Sequence, residues 1–126
     1  LVKESLPSSD VVLDIINIYL FYEDKDLIGI TGLESFKHYG LLRSVVVIDK
    51  FKHKGFGRDI CELTIEKARD MDIKELYLLT STAEGFFKTL GFNTTDRAHT
   101  PQFIQSTTEF KSLCPDTAAC MMKKIS

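Results

Sequence analysis

The stretch "LLRSVVVIDKFKHKGFGRDICELTIEKARDMDIKELYLLTS", residues 41–81, contains two apolar runs separated by a basic corner and an amphipathic segment. The first run, within "YGLLRSVVVID" at 39–49, predicts a strand that is buried on both faces because its apolar residues are continuous. From Gly57 to about Met71, apolar residues recur at 60, 63, 65 and 68, close to helical spacing. "ELYLLTS" at 75–81 predicts a second buried strand. A strand, a helix and a strand in this order cross over right-handed, which makes the two strands parallel neighbours.

The flanking sequence adds strands and short helices to this unit. Lys25-Asp26 predicts a tight turn between two strands, and Gly91 stands where a glycine ends a helix. The expected architecture is α/β (α+β), a mixed and mostly antiparallel sheet with helices on both faces. The further predicted elements are strands at 18–24, 27–36, 92–97 and 118–125, and helices at 8–15, 83–90 and 100–107.

Composition limits the class of protein. The 126 residues suit one domain, 1–126, with a core large enough to fold alone. The net charge of -2 does not favour a polyanion over the whole surface, so the cluster at 50–58 suits a small phosphorylated ligand better than nucleic acid. No apolar run approaches the roughly 20 residues that span a bilayer, so no membrane partner is expected. The three cysteines form no CxxC pair, which favours a reduced, cytoplasmic protein. His38, His53 and His99 have no metal-ligand spacing relative to the cysteines, so no metal site is expected.

The corner "KHKGFGRD" matches one of three phosphate-binding designs. A P-loop fails because Arg58-Asp59 follow Gly57, and a dinucleotide fingerprint fails because Ile60 replaces its third glycine. The third design, a basic residue and two spacers before Gly-x-Gly at a helix start, fits Lys52 to Gly57. Glycines there let successive N–H groups face one anion, and the helix N-terminus adds positive potential. A solvated turn with surface lysines remains the alternative.

A second feature carries a resemblance to a known family. "AEGFFKTLGF" follows the next strand, and the corner, strand and helix running into Leu-Gly-Phe together resemble the GNAT superfamily of acetyl-coenzyme A-dependent N-acetyltransferases, over roughly residues 17–125. "LLRSVVV", "LYLLTSTAEGFFKTLGF" and "FIQSTTEFKSLCPDTAACM" look like the small GNAT group associated with arsenic resistance operons. Departures are the short segment before residue 18, Lys52 in place of Arg or Gln, and Phe87 where many relatives carry Tyr.

The resemblance implies acetyl-coenzyme A as cosubstrate and a set of binding positions. The pantetheine arm is expected to pair with the backbone of Val45, Val46 and Val47, with one backbone N–H facing the thioester oxygen. The pyrophosphate is expected at the corner, and hydroxyls at Thr80, Ser81 and Thr82 either touch ligand or cap the next helix. The expected coenzyme-binding residues are Val45, Val46, Val47, Lys52, His53, Lys54, Gly55, Phe56, Gly57, Arg58, Thr80, Thr82 and Phe87.

Two residues are candidates for the chemistry. Glu34 in "TGLESF" is a candidate general base, with an exposed strand-end carboxylate as the alternative. Arg43 lies in an apolar strand, where an unpaired cation is costly, so it needs an anion: Glu34 or the substrate. Phe87 cannot protonate a thiolate, which leaves water, substrate or another residue.

Two hypotheses of function follow from these residues and this resemblance. One is an N-acetyltransferase acting on the primary amine of a small molecule, amino-acid-like or arsenic-related. The other is a catalytically weak module that senses acyl-coenzyme A or an oxyanion. The expected partner is thus a small amine, with neither nucleic acid nor membrane, and a homodimer is left open.

Overall fold

The computed structural model describes residues 2–7, 15–51, 55–105 and 118–126. These residues form one seven-stranded sheet and three α-helices. The strands are β1 (Val2–Pro7), β2 (Ile15–Glu23), β3 (Asp26–Phe36), β4 (Tyr39–Val47), β5 (Glu75–Thr80), β6 (Asn93–Thr94) and β7 (Ala119–Lys124), and the helices are α1 (Phe56–Asp70), α2 (Glu84–Thr89) and α3 (Gln102–Gln105).

The sheet order is β1-β2-β3-β4-β5-β7-β6. Every neighbouring pair is antiparallel except β4 and β5, which are parallel and are connected through α1. The predicted crossover unit and the mixed, mostly antiparallel sheet are therefore confirmed.

Helices cover both faces of the sheet, as predicted. The apolar side of α1 buries Ile60, Cys61 and Ile65 against residues of β2 to β5, and Phe87 of α2 joins the same core. On the opposite face, Ile104 of α3 packs against Leu41 and Tyr77.

Strands β4 and β5 diverge after a short paired segment. Their pairing covers Tyr39 to Leu41 against Glu75 to Tyr77 within the described residues, although β4 continues to Val47. A bulge in the β3–β4 register accompanies Ser44, whose φ is 56°. The prediction that this strand is buried on both faces is wrong for its second half: Val46 is 48% exposed, and Ser44 is exposed as well.

The chain before β2 differs from the sequence prediction. Residues 2–7 form β1 and pair with β2, a strand that the analysis of the sequence did not find. The helix predicted at 8–15 lies outside the described residues apart from Ile15, which begins β2.

Three further boundaries shift by small amounts. The turn between β2 and β3 comprises Asp24-Lys25, one residue before the predicted position, since Glu23 pairs with Asp26 and Asp24 has a φ of 55°. The strand predicted at 92–97 is short, because only Asn93–Thr94 pair with β7. α3 lies within the predicted helix at 100–107.

The predicted glycine stop at Gly91 is confirmed by geometry. Gly91 has a φ of 96°, and the N–H of Phe92 donates to the carbonyl of Phe87 at 3.1 Å while Gly91 N–H donates to Lys88 at 3.0 Å. These two bonds form a Schellman motif, which needs a left-handed residue at its centre. In the described part of the chain, no helix is long and apolar enough to cross a bilayer.

Candidate functional site

The divergence of β4 and β5 opens a cleft that passes between the two strands. Its volume is about 810 Å³, within the range of about 300–1,000 Å³ that is usual for small-molecule sites. The charged residues among its described lining are both arginines, Arg43 and Arg58. The lining comprises Leu42, Arg43, Ser44, Val45, Val47, Gly55, Gly57, Arg58, Leu78, Leu79, Thr80, Thr82, Ala83, Phe86 and Phe87.

The N-terminus of α1 opens onto one end of this cleft. Gly55 is the N-cap with a φ of 83°, a left-handed conformation that favours glycine, and among the described residues no side chain caps the helix. The N–H groups of Phe56, Gly57 and Arg58 belong to the first turn, where helical geometry gives them no acceptor within the helix. Three donors and the positive end of the helix dipole are thus available to an anion at this end of the cleft.

Gly57 has a different reason to be glycine. A Cβ at this position would stand 3.5 Å from Val47 Cγ2 and 3.8 Å from Phe86 Cζ, which are ordinary contacts. Its missing side chain therefore leaves room in the cleft rather than relieving strain. Of the other corner residues, Lys52, His53 and Lys54 lie outside the described part of the chain, and Phe56 packs edge-on against Phe51 rather than lining the cleft.

The three consecutive valines of β4 divide between two environments. Val45 and Val47 line the cleft and pack against the core under α1. Val46 is not among the described lining residues, and its register partner Ile30 places it on the opposite face of the sheet. The edge of β4 that faces β5 has no ladder partner there beyond Leu41 within the described residues, so its backbone is open to an extended ligand.

The hydroxyl-bearing residues at the end of β5 and directly after it differ in whether they line the cleft. Thr80 lines the cleft, and its Oγ1 accepts a hydrogen bond from Ala83 N–H at 3.0 Å, so it supports the start of α2. That bond uses Thr80 as an acceptor and leaves its O–H available as a donor. Thr82 lines the cleft, whereas Ser81 is exposed and is not among the described lining residues.

Aromatic rings close the cleft on the α2 side. Phe87 is buried and lies between two edge-on neighbours, Phe86 at 5.1 Å and Phe92 at 5.7 Å between ring centroids. Both Phe86 and Phe87 line the cleft, so this wall is apolar.

Arg43 and Glu34 form an ion pair across β3 and β4. Arg43 Nη1 donates to Glu34 Oε1. Glu34 is 3% exposed, so the alternative of an exposed strand-end carboxylate is wrong, while Arg43 is 18% exposed and lines the cleft. Glu34 is not among the described lining residues and lies behind Arg43 as seen from the cleft.

The cysteines that the structure describes are buried thiols. Burial raises the pKa of Cys61 to about 12 and that of Cys120 to about 11. Cys61 faces the core under α1, and Cys120 packs with Leu79 and Ala118 on the other face. Cys114 lies outside the described residues.

Ser44 is a polar lining residue that was not predicted from the sequence, and the apolar lining residues Leu42, Leu78, Leu79 and Ala83 were not predicted either. Its hydroxyl-bearing side chain is exposed at the bulge, and its backbone has a positive φ. A serine inside an apolar run carries no sequence signal for a bulge. The glycines of a turn would have given one.

Comparisons with known proteins agree with this geometry. Residues 10–92 match the model of the acetyltransferase (GNAT) family. An uncharacterized N-acetyltransferase of Chlorobaculum tepidum is 30% identical over 79 residues, which cover 63% of this chain and 48% of that protein. The chain thus spans about half the length of that curated relative.

Solved structures share the fold at low identity. N-acetylglutamate synthase of Neisseria gonorrhoeae, complexed with coenzyme A and N-acetyl-glutamate, superposes with a TM-score of 0.73 at 20% identity, over 91% of this chain and 26% of that chain. A GNAT family acetyltransferase of Elizabethkingia anophelis with acetyl-CoA bound gives a TM-score of 0.66 at 18% identity, over 86% of this chain and 76% of that chain. Since the family model covers most of the chain and includes both diverging strands and α1, this protein belongs to the acetyltransferase (GNAT) family.

Proposed function

We propose that this protein transfers the acetyl group of acetyl-coenzyme A to the primary amine of a small molecule. The observation that carries the proposal is the meeting of the α1 N-terminus with the cleft between β4 and β5. That arrangement offers phosphate-binding donors at one end and an unpaired strand edge along one side. The coenzyme A and acetyl-CoA bound by the two solved relatives support the choice of cosubstrate.

The coenzyme's pyrophosphate fits at the start of α1. Gly55 supplies the left-handed turn, Gly57 leaves the space, and Arg58 adds a cation at the cleft wall. Lys52, His53 and Lys54 precede this turn in the sequence and would add positive charge there. The pantetheine arm would then extend along the open edge of β4 at Val45 to Val47.

The transfer itself needs few protein groups. The neutral amine attacks the thioester carbonyl, a C–N bond forms, the C–S bond breaks, and the proton lost by the amine balances the one gained by the thiolate. A backbone N–H on the open edge of β4 would stabilise the oxyanion. Because Phe87 has no proton to donate, water, the substrate or another cleft residue must return it.

The acceptor is proposed as amino-acid-like or arsenic-related. What supports an arsenic-related acceptor is the sequence resemblance of "LLRSVVV" and "FIQSTTEFKSLCPDTAACM" to the GNAT group of arsenic resistance operons. What supports an amino-acid-like acceptor is a cationic side chain, Arg43, in the wall of the cleft.

Phe87 also favours a second candidate function. A cleft that binds acetyl-coenzyme A but lacks a phenol beside the sulfur suits a catalytically weak module that senses acyl-coenzyme A or an oxyanion. This candidate predicts tight coenzyme binding without turnover.

Release of free thiol from acetyl-coenzyme A over a panel of primary amines separates the two candidates. We expect amine-dependent thiol release and an N-acetylated product of the acceptor by mass spectrometry. Gly57→Glu serves as the matched control, since it should remove both coenzyme binding and thiol release. Coenzyme binding without thiol release from any amine would favour the sensing module instead.

A further inference from the structure

The side chain of Arg43 extends along one face of the sheet, over β3. It pairs in register with Gly32, where a Cβ would stand 3.1 Å from Arg43 Cγ and 3.2 Å from its carbonyl oxygen. Glycine therefore gives the aliphatic stem of Arg43 room to lie over β3. Glu34, two residues further along β3 and on the same face, then receives the guanidinium.

The guanidinium has more donors than its protein partner uses. Arginine carries five N–H groups, and the bond from Nη1 to Glu34 is the one hydrogen bond that Arg43 makes within the described residues. The side chain is 18% exposed and lines the cleft, so donors remain available on that side. None of the described residues lining the cleft is acidic, so a second anion there would meet no repulsion from them.

We propose that Arg43 binds an oxyanion on the acceptor, with Glu34 as the positioning residue that holds the guanidinium toward the cleft. The acceptor class is then a primary amine that also carries a compact oxyanion, a carboxylate or a tetrahedral phosphonate-like group. This inference rests on the proposed transferase function and names the substrate class of the same site.

The opposite charges of Glu34 and Arg43 suit a ligand that binds and dissociates in each catalytic cycle. Glu34 compensates Arg43 while the cleft holds no acceptor, so the buried cation is never unpaired. A planar guanidinium can bond a second oxyanion through a separate pair of N–H groups, a geometry that lysine cannot reproduce. A charge-assisted hydrogen bond contributes about 1.5–3 kcal/mol, or about 10- to 150-fold in specificity.

Matched acceptors test the class without knowledge of the natural one. The probes are the standard amino acids other than proline, which lacks a primary amine, their carboxamides, the corresponding amines without the carboxylate, and the aminoalkylphosphonates that correspond to glycine and alanine. We expect at least one acid or phosphonate to be acetylated with a kcat/KM about tenfold or more above its carboxamide. A preference for the phosphonates over the acids would identify the oxyanion as tetrahedral. Equal use of acids and carboxamides overturns the inference.

Variants assign the preference to Arg43. Arg43→Lys should raise the acceptor's KM about tenfold or more while leaving the KM of acetyl-coenzyme A within about twofold. The double variant Glu34→Gln with Arg43→Gln removes both charges together, so it leaves no unpaired buried charge, and it should abolish the preference for acids over carboxamides. Arg69→Lys is the matched control, since Arg69 also pairs with a glutamate, Glu66, but lies outside the cleft lining.

Binding measured without turnover keeps this inference separate from the proposed function. Calorimetry titrates the best acid into protein saturated with free coenzyme A, in the wild type and in each variant. Acid binding that Arg43→Lys weakens, without turnover of any amine, would contradict the transferase and support the anion site. Turnover of amines with an unchanged acceptor KM in Arg43→Lys would support the transferase and overturn the anion site.

Discussion

Arg43 on β4 donates a hydrogen bond to the buried carboxylate of Glu34 on β3, so the cleft presents a cation whose counterion lies behind it. The pair combines two charges of very different exposure, 3% for Glu34 and 18% for Arg43. This difference makes the consequences of removing either charge predictable.

Glu34→Gln should destabilise the protein because it leaves Arg43 with a neutral partner. Breaking a buried ion pair from one side costs about 3–5 kcal/mol, and we expect the loss in denaturant unfolding. The double variant Glu34→Gln with Arg43→Gln should recover part of this stability. With Arg43→Gln as the other single variant, the difference between the double loss and the sum of the two single losses is the coupling energy of the pair. Losses that simply add would show that the two side chains do not interact.

The same variant tests whether Glu34 is a general base. A positioning role predicts a raised acceptor KM with kcat changed by no more than a few-fold. Loss of a general base would instead lower kcat by about 10²- to 10⁴-fold and remove the acidic limb of the pH–rate profile. Initial rates from pH 5 to 9, with acetyl-coenzyme A saturating, decide between the two.

The sequence predicts the helices and strands around this site better than it predicts the cleft and the side-chain contacts within it. The helical spacing of α1, the buried β5 and the cap at Gly91 are local patterns, and each is present in the structure. The divergence of β4 from β5 is not local, since "VVV" is apolar whether a strand or a ligand lies beside it. The sequence predicted either Glu34 or the substrate as the anion for Arg43, and the contact with Glu34 confirms the first, but the choice depends on the register of β3 and β4, which the bulge at Ser44 shifts.

Gly57→Glu should abolish coenzyme binding while the fold remains. The new side chain would enter the space beside Val47 and Phe86 and place a negative charge at the start of α1. Gly57→Ala is the control, because its methyl meets only ordinary contacts and alanine favours the helix by about 0.5–1 kcal/mol. Calorimetry with coenzyme A measures both, and unchanged affinity in Gly57→Glu would show that the phosphates bind elsewhere.

Gly55→Ala should lower stability for a different reason. No atom of the described residues lies within 4 Å of a Cβ at this position, so the predicted cost comes from the φ of 83°. A left-handed alanine costs about 1–2 kcal/mol, and thermal unfolding should show a decrease of a few degrees. Gly55→Asn should cost less, since asparagine tolerates this conformation better. Equal melting temperatures for all three proteins would contradict the left-handed cap.

The buried thiols predict slow alkylation. Burial raises the pKa of Cys61 to about 12 and of Cys120 to about 11, so at pH 8 both are almost entirely neutral thiols, which react poorly. Iodoacetamide at pH 8 should modify them only after denaturation, as peptide mass spectrometry would show. Burial raises the pKa of both thiols in the folded state above the unfolded value of about 8.5. The free energy of unfolding that the neutral thiols contribute is therefore fully present below about pH 8.5, and it is lost as the pH rises through 11 to 12. Rapid labelling of either thiol in the native protein would contradict their burial.

Phe87→Tyr tests how the departing thiolate regains its proton. Phe87 lines the cleft and packs between Phe86 and Phe92, and a phenol there would supply a proton donor to the cleft. We expect the single-turnover rate of thiol formation to rise about two- to tenfold, a small part of the 10²- to 10⁴-fold that a well-placed acid contributes. Single-turnover kinetics isolate the chemical step, because product release limits kcat in many enzymes. Phe86→Tyr adds the same hydroxyl to the neighbouring ring and should not raise the rate. A fall in the rate with Phe87→Tyr would show that the ring between its two edge-on neighbours has no room for a hydroxyl, and that the proton reaches the sulfur from elsewhere in the cleft.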